Sequence, residues 1–235
     1  MDENDPRSRI ALALDVPDLE SATALIEQTR EHVGTFKVGL ELYTAVGPAA
    51  VESVHAAGAE CFLDLKLHDI PATMGRSVAR AASMGVAYLT VHGMAGHESL
   101  HHAFMNAGPT RLLAVTVLTS LDAAALEAIG LAGGPRDAAD RLAKLAWGAG
   151  LRGFVASAHE CAALRATLGE EAFLVTPGIR PAGADIGDQK RVMTPADAIV
   201  AGADLLVVGR PIRDAVDPSR AAAEIARQVR LALSR

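Results

Sequence analysis

Eight short apolar runs, separated by amphipathic stretches, limit most strongly what this chain can become. They are RIALALD (9–15), TFKVGL (35–40), ECFLDLKL (60–67), AYLTVHG (87–93), RLLAVTVL (111–118), GFVAS (153–157), FLVTPGI (173–179) and LLVVGR (205–210). Between them the spacing predicts helices over 18–33, 44–57, 71–84, 96–107, 136–148, 159–168, 194–201 and 218–234. Runs this apolar suit parallel strands covered by helices. Glycines at 34, 58, 85, 108, 150 and 202 stand between a helix and the next strand, where a left-handed C-terminal cap is wanted. Eight such units without a GxGxxG fingerprint predict a closed (β/α)8 TIM barrel of the α/β class, not an open doubly wound sheet. Aromatics are only 3% of 235 residues, so Ala, Val, Leu and Ile must fill the core. The expected organisation is a frayed tail over 1–8 and one barrel domain over 9–235.

A net charge of −6 argues against a nucleic-acid partner, which requires a basic footprint. It leaves room for an anionic small substrate, because a few local cations can reverse the potential inside a cleft. The N-terminal MDENDPRSR lacks the apolar core of a secretory signal, and no apolar run approaches a membrane span. A soluble cytoplasmic protein is expected. Cys61 and Cys161 sit in apolar patterns and read as buried free thiols. His97 and His101 are spaced i, i+4, but no HExxH pattern or third ligand accompanies them, so a surface helix is expected and no metal site. His68 and His92 fall at strand ends, where they can orient neighbours.

In a barrel, chemistry collects at the C-terminal ends of the strands. The first run ends in Asp15 and the second carries Lys37. The third reads Phe62-Leu63-Asp64-Leu65-Lys66-Leu67-His68-Asp69-Ile70-Pro71. Side chains alternate along a strand, so Asp64 and Lys66 share one face while Leu63, Leu65 and Leu67 take the other. Charge on a buried strand is costly unless it is paired. Two carboxylates and two ammonium groups balance, so an alternating network in the barrel mouth is expected, and such clusters are usually functional. From the residues alone, Asp69 can close the network, project away or cap the helix that begins near Pro71.

Thr176-Pro177-Gly178-Ile179-Arg180 follows the seventh run, and Val208-Gly209-Arg210-Pro211 ends the eighth. Glycine lets backbone N–H groups approach an anion, and Arg adds a bidentate fork. Barrels frequently bind phosphate at these two loops. The loop 180–193 is expected to form a lid, with Gln189 a further contact.

Asp64-Leu-Lys66-Leu-His-Asp69-Ile-Pro-Ala-Thr73 resembles the DxKxxDIPxT signature of the orotidine 5'-phosphate decarboxylases. ALALD at Asp15, FKVGLELY at Lys37, VTVLTS at Thr119, VTPGIRP at Arg180, GDQKRVMTP at Gln189 and VVGRPI at Arg210 resemble the bacterial form in the same order, over residues 9–235. The resemblance implies a cofactor-free homodimer that converts orotidine 5'-phosphate to uridine 5'-phosphate in de novo pyrimidine biosynthesis. It implies that Lys66 protonates C6, with Asp64 beside the substrate carboxylate. It sends Asp69 into the partner's site, completing a Lys37–Asp64–Lys66–Asp69 chain. Asp15 and Lys37 would hold the ribose, Thr73 would reach it across the interface, and Ile70 would lie against substrate. Thr119 would meet the pyrimidine edge. Arg180, Gln189, Arg210 and the Gly209 backbone would hold phosphate.

Loss of CO2 from C6 leaves a vinyl carbanion that no adjacent carbonyl delocalises well. An ammonium at C6 stabilises that charge and then protonates it. Two other readings are a metal-dependent sugar-phosphate decarboxylase or aldolase on the same barrel, and a non-catalytic phosphate-nucleotide sensor. The first places a Glu metal ligand where this chain has Lys37, and an ammonium there opposes a cation. The second leaves the Asp/Lys network without a purpose.

Overall fold

A computed structural model describes residues 5–181 and 192–234. Its strands are β1 (Ile10–Ala13), β2 (Thr35–Gly39), β3 (Glu60–Leu67), β4 (Tyr88–His92), β5 (Arg111–Val115), β6 (Gly153–Val155), β7 (Phe173–Thr176) and β8 (Leu205–Val208). All neighbours pair in parallel, and β8 closes on β1, so the strands form the expected (β/α)8 barrel. The helices are α1 (Leu19–Thr29), α2 (Leu40–Val46), α3 (Ala49–Ala56), α4 (Pro71–Ser83), α5 (His97–Met105), α6 (Ala123–Ala128), α7 (Pro135–Gly148), α8 (Ala158–Leu168), α9 (Pro195–Val200), α10 (Arg210–Arg213) and α11 (Pro218–Leu233).

Alternation along the strands sorts the core into two layers. Ala11, Ala13, Phe62, Leu113, Val175, Leu205 and Val207 fill the barrel interior. Ile10, Leu12, Phe36, Val38, Leu63, Leu89 and Leu206 point outward and are covered by the helices. Each such Leu or Ile contributes about 1.5–3 kcal/mol relative to exposure. Cys61 and Cys161 are free and buried.

Several expectations shift. The helix expected over 44–57 is broken between α2 and α3, where Gly47 takes a φ of 61° and Pro48 follows. A short α6 appears where none was expected; Asp122 accepts a hydrogen bond from the Ala125 N–H at 3.1 Å and caps it. β5, β7 and β8 stop at Val115, Thr176 and Val208, short of the apolar runs, and the remaining residues turn onto the rim. Of the stretch 1–8 expected to fray, residues 5–8 are packed instead. Asp5 caps a 3-10 turn over Pro6–Arg9, and the Arg7 carbonyl accepts from the Gly34 N–H at 3.0 Å.

Candidate active site

β1, β2 and β3 stand side by side, with Lys37 in register with Ala13 and Phe62, and Gly39 with Asp64. Alternation therefore aims Lys37 and Asp64 into the barrel mouth, and both are buried. Lys37 Nζ lies 3.3 Å from Asp15 Oδ1 and 3.3 Å from Asp64 Oδ2. Lys66 Nζ donates to Asp64 Oδ1 at 2.9 Å. The expected network of alternating charge, Asp15–Lys37–Asp64–Lys66, is thus assembled within one chain.

Asp64 is the hub. Burial alone would raise its carboxyl. The charges of Lys37 and Lys66, with hydrogen bonds from Lys66 and Thr90, outweigh burial and hold it below the ordinary carboxylate value. Asp64 therefore contributes stability that is present above its unfolded pKa, about 3.9, and is lost as pH falls through the lower folded value.

β3 is not a regular strand where it matters. Its pairing with β4 runs Phe62–Tyr88, Leu63–Leu89 and then Leu67–Val91, so four steps on β3 oppose two on β4. Within this bulge Lys66 has φ 49°, the one positive φ of a non-glycine residue among the described residues. A left-handed residue costs about 1–2 kcal/mol and clusters at functional sites.

A cavity of about 180 Å³ opens beside the network, lined among others by Lys37, Asp64, Lys66, Thr119, Pro177 and Val207. Larger hollows, about 380 and 610 Å³, lie at the opposite end of the barrel around Arg9 and Asp204. There Asp204 accepts from Arg165 at 2.8 Å and from the Leu174 N–H at 2.7 Å, an arrangement that ties the barrel floor together. The smaller cavity is the one whose walls carry the paired interior charges.

On the far rim, β7 and β8 are neighbours, so Arg180 and Arg210 leave adjacent strand ends. Arg180 is buried, and its backbone N–H donates to the Met193 carbonyl at 3.0 Å. Gly209 precedes Arg210 at the start of α10. A Cβ built there would stand 3.7 Å from Ala13 Cβ and 3.9 Å from Asp15 Oδ2, so this backbone lies close against the end of β1. Gln189, and with it most of the lid expected over 180–193, lies outside the described residues.

Asp69, Ile70 and Thr73 are not drawn into this chain's network. Asp69 is exposed and accepts from the Ile70 N–H at 2.7 Å; among the described residues no ion pair joins it to Lys66. Ile70 is 68% exposed at the start of α4. Thr73, in the first turn of α4, accepts from Arg76 at 3.5 Å.

His68 and His92 stack, with ring centroids 5.5 Å apart. Burial, then the nearby His68 and Lys66, lower the pKa of His92. Its Nδ1 accepts from the Met94 N–H at 3.3 Å, as only a ring with a free Nδ1 lone pair can. His101 Nδ1 lies 3.2 Å from the Ala149 carbonyl. No group of three or more His, Cys, Asp or Glu among the described residues is arranged to hold a metal ion.

Sequence reasoning missed three residues here. Thr90 is buried between Lys66 and Asp64, and the alternation of Tyr88, Thr90 and His92 already pointed it inward. A Cβ on Gly39 would meet Lys37 Nζ at 3.0 Å and Asp15 Oδ1 at 3.1 Å, so glycine leaves that ion pair its room. Arg213 donates to the Asp15 carbonyl at 2.9 Å and anchors the end of β1; nothing in the sequence marks it.

Residues 8–225 match the orotidine 5'-phosphate decarboxylase / HUMPS family. An orotidine 5'-phosphate decarboxylase of Anaeromyxobacter sp. (strain K) is 56% identical over 222 residues, 94% of this chain and 98% of that one. One from Thermobifida fusca is 53% identical over 221 residues, 94% of this chain and 95% of that one. The crystal structure of orotidine 5'-phosphate decarboxylase from Lactobacillus acidophilus superposes with a TM-score of 0.84 at 31% identity, covering 94% of this chain and 99% of that one. The barrel, the order of the motifs and these likenesses agree: the chain belongs to the orotidine 5'-phosphate decarboxylase / HUMPS family.

Proposed function

We propose that the catalytic centre is the Lys37–Asp64–Lys66 chain, completed by Asp69 of the partner subunit, and that through it this carboxy-lyase converts orotidine 5'-phosphate to uridine 5'-phosphate in pyrimidine biosynthesis. The observation that carries the reading is Lys66 Nζ held 2.9 Å from buried Asp64 at the wall of the mouth cavity. The C6–carboxylate bond breaks, CO2 leaves, and the electron pair stays on C6. The Lys66 ammonium stabilises that pair and gives it a proton, and solvent then reprotonates the amine. No metal or cofactor takes part. Lys37 Nζ fills the gap between the Asp15 and Asp64 carboxylates, the place where a hard cation would need those oxygens. The same contact disfavours the metal-dependent alternative.

Asp15 and Lys37 hold the ribose, and Thr119 meets the pyrimidine edge. Arg180, Gln189, Arg210 and the Gly209 backbone hold phosphate. The phosphate is remote from the reacting bond, so its binding energy can serve the chemistry at C6.

The working form is a homodimer in which Asp69, Ile70 and Thr73 serve the partner's site. Their position supports this: Asp69 has no ion pair to its own Lys66, and Ile70 presents an apolar side chain to solvent. A partner nucleic acid is disfavoured by the charge of −6. Among the described residues no helix is long and apolar enough to cross a membrane, and we place the enzyme in the cytoplasm.

Loss of substrate absorbance on incubating purified protein with orotidine 5'-phosphate tests the reading. The Arg210→Ala variant separates binding from chemistry. Its kcat/KM on the phosphorylated substrate should fall roughly 100-fold or more, the scale of a lost charge-assisted contact to a dianion. On orotidine, which lacks the phosphate, the variant and the parent should differ little. Equal losses on both substrates would place Arg210 at the pyrimidine end or in folding.

A further inference from the structure

Thr90 sits at the centre of β4, 1% exposed, opposite the bulge in β3. Its hydroxyl accepts a hydrogen bond from the Lys66 backbone N–H at 2.9 Å. The same oxygen lies 2.9 Å from Asp64 Oδ1. A backbone N–H can only donate, and a carboxylate can only accept, so the hydroxyl proton must point to Asp64. One atom therefore grips the backbone of Lys66 and the carboxylate that Lys66 Nζ also touches at 2.9 Å.

This grip falls where the chain most needs one. Lys66 has φ 49°, a conformation that a side-chain-bearing residue does not hold unless its surroundings impose it. We infer that Thr90 is a positioning residue for the decarboxylation, holding Lys66 in its left-handed conformation and Asp64 in the orientation that aims the Lys66 ammonium. The inference rests on the function proposed above for Lys66. Valine fills the same volume without the hydroxyl. It would leave the half-buried Lys66 N–H without its acceptor and Asp64 without one donor, and the backbone would relax toward the ordinary strand region.

The test compares Thr90→Val with Thr90→Ser in the full-length protein. The valine variant should lose roughly 10- to 100-fold in kcat, the scale of a misplaced catalytic group and a lost hydrogen bond to the buried Asp64 carboxylate. Its affinity for uridine 5'-phosphate, which draws mainly on the phosphate contacts of Arg180 and Arg210, should stay within about threefold, and serine should restore kcat to within about threefold of the parent. The Lys66 amide gives a readout independent of activity: its hydrogen exchange, followed by NMR, should be faster in the valine variant than in the serine variant. If the valine variant does not fold, Thr90→Ala is compared with Thr90→Ser in the same measurements. An unchanged kcat would overturn the inference. So would serine as impaired as valine, product affinity falling in step with kcat, or an unchanged Lys66 amide. A parent enzyme that leaves orotidine 5'-phosphate untouched would instead overturn the function, and the amide exchange would still judge the grip.

Discussion

Lys66→Ala is expected to lower kcat by roughly 10⁴-fold or more while the barrel still folds. The ammonium serves twice, against the developing charge on C6 and as the donor of the proton, and each role is worth about two to four decades. Four decades correspond to about 5 kcal/mol of transition-state stabilisation. Because the contact strengthens only as C6 becomes a carbanion, kcat and kcat/KM should fall together. Truncation also removes the side chain that needs Asp64 as its counter-charge, while Lys37 still pairs with Asp64 at 3.3 Å, so the buried carboxylate is not abandoned. The checks are steady-state kinetics beside a thermal melt. A folded variant with near-parental kcat would remove Lys66 from the chemistry.

Mixing two inactive variants should restore activity. Asp69 lies just past β3, exposed, without an ion pair to its own Lys66. If it serves the neighbour, each site in a two-fold dimer joins Lys66 of one chain to Asp69 of the other. Lys66→Ala and Asp69→Ala proteins are unfolded together in equal amounts and refolded. A mixed dimer has one site with both lesions and one with neither. Random pairing makes half the dimers mixed, so about a quarter of parental activity should return. If Asp69 acted in its own chain, every site would keep a lesion and the mixture would stay silent.

The barrel was legible because periodicity is a local property. Each apolar run alternates with an amphipathic helix, and β3 over 60–67 has the limits its pattern predicts. The same alternation put Asp64 and Lys66 on one face, and in the structure their charges meet those of Lys37 and Asp15, which the sequence offers as charges at strand ends. It did not show the bulge between Leu63 and Leu67, because a bulge is defined by what β4 offers opposite and single-strand patterns carry no register. Thr90 went unnoticed for a related reason. A Thr within an apolar strand looks like ordinary β propensity until its two partners are seen to meet at it. Gly39 belongs in sequence to the end of the second apolar run and carries no other signal, whereas the structure shows the space its missing Cβ leaves for the Lys37–Asp15 pair. The break at Gly47-Pro48 was readable, since Pro48 restricts the residue before it, but the apolar spacing on either side hid it.

One measurement bears most directly on metal-free proton delivery to C6. The protein is stripped with EDTA, transferred to D2O and given orotidine 5'-phosphate, and the product is weighed by mass spectrometry and examined by NMR. The expected product is uridine 5'-phosphate carrying a single deuterium at C6, formed as fast as before the chelator was added. The exchangeable hydrogens of Lys66 would by then be deuterons, and C6 accepts one as CO2 departs. Absence of product, or product that forms only after Mg²⁺ is restored, would contradict a metal-free decarboxylation carried by Lys37, Asp64 and Lys66 with Asp69 of the partner subunit.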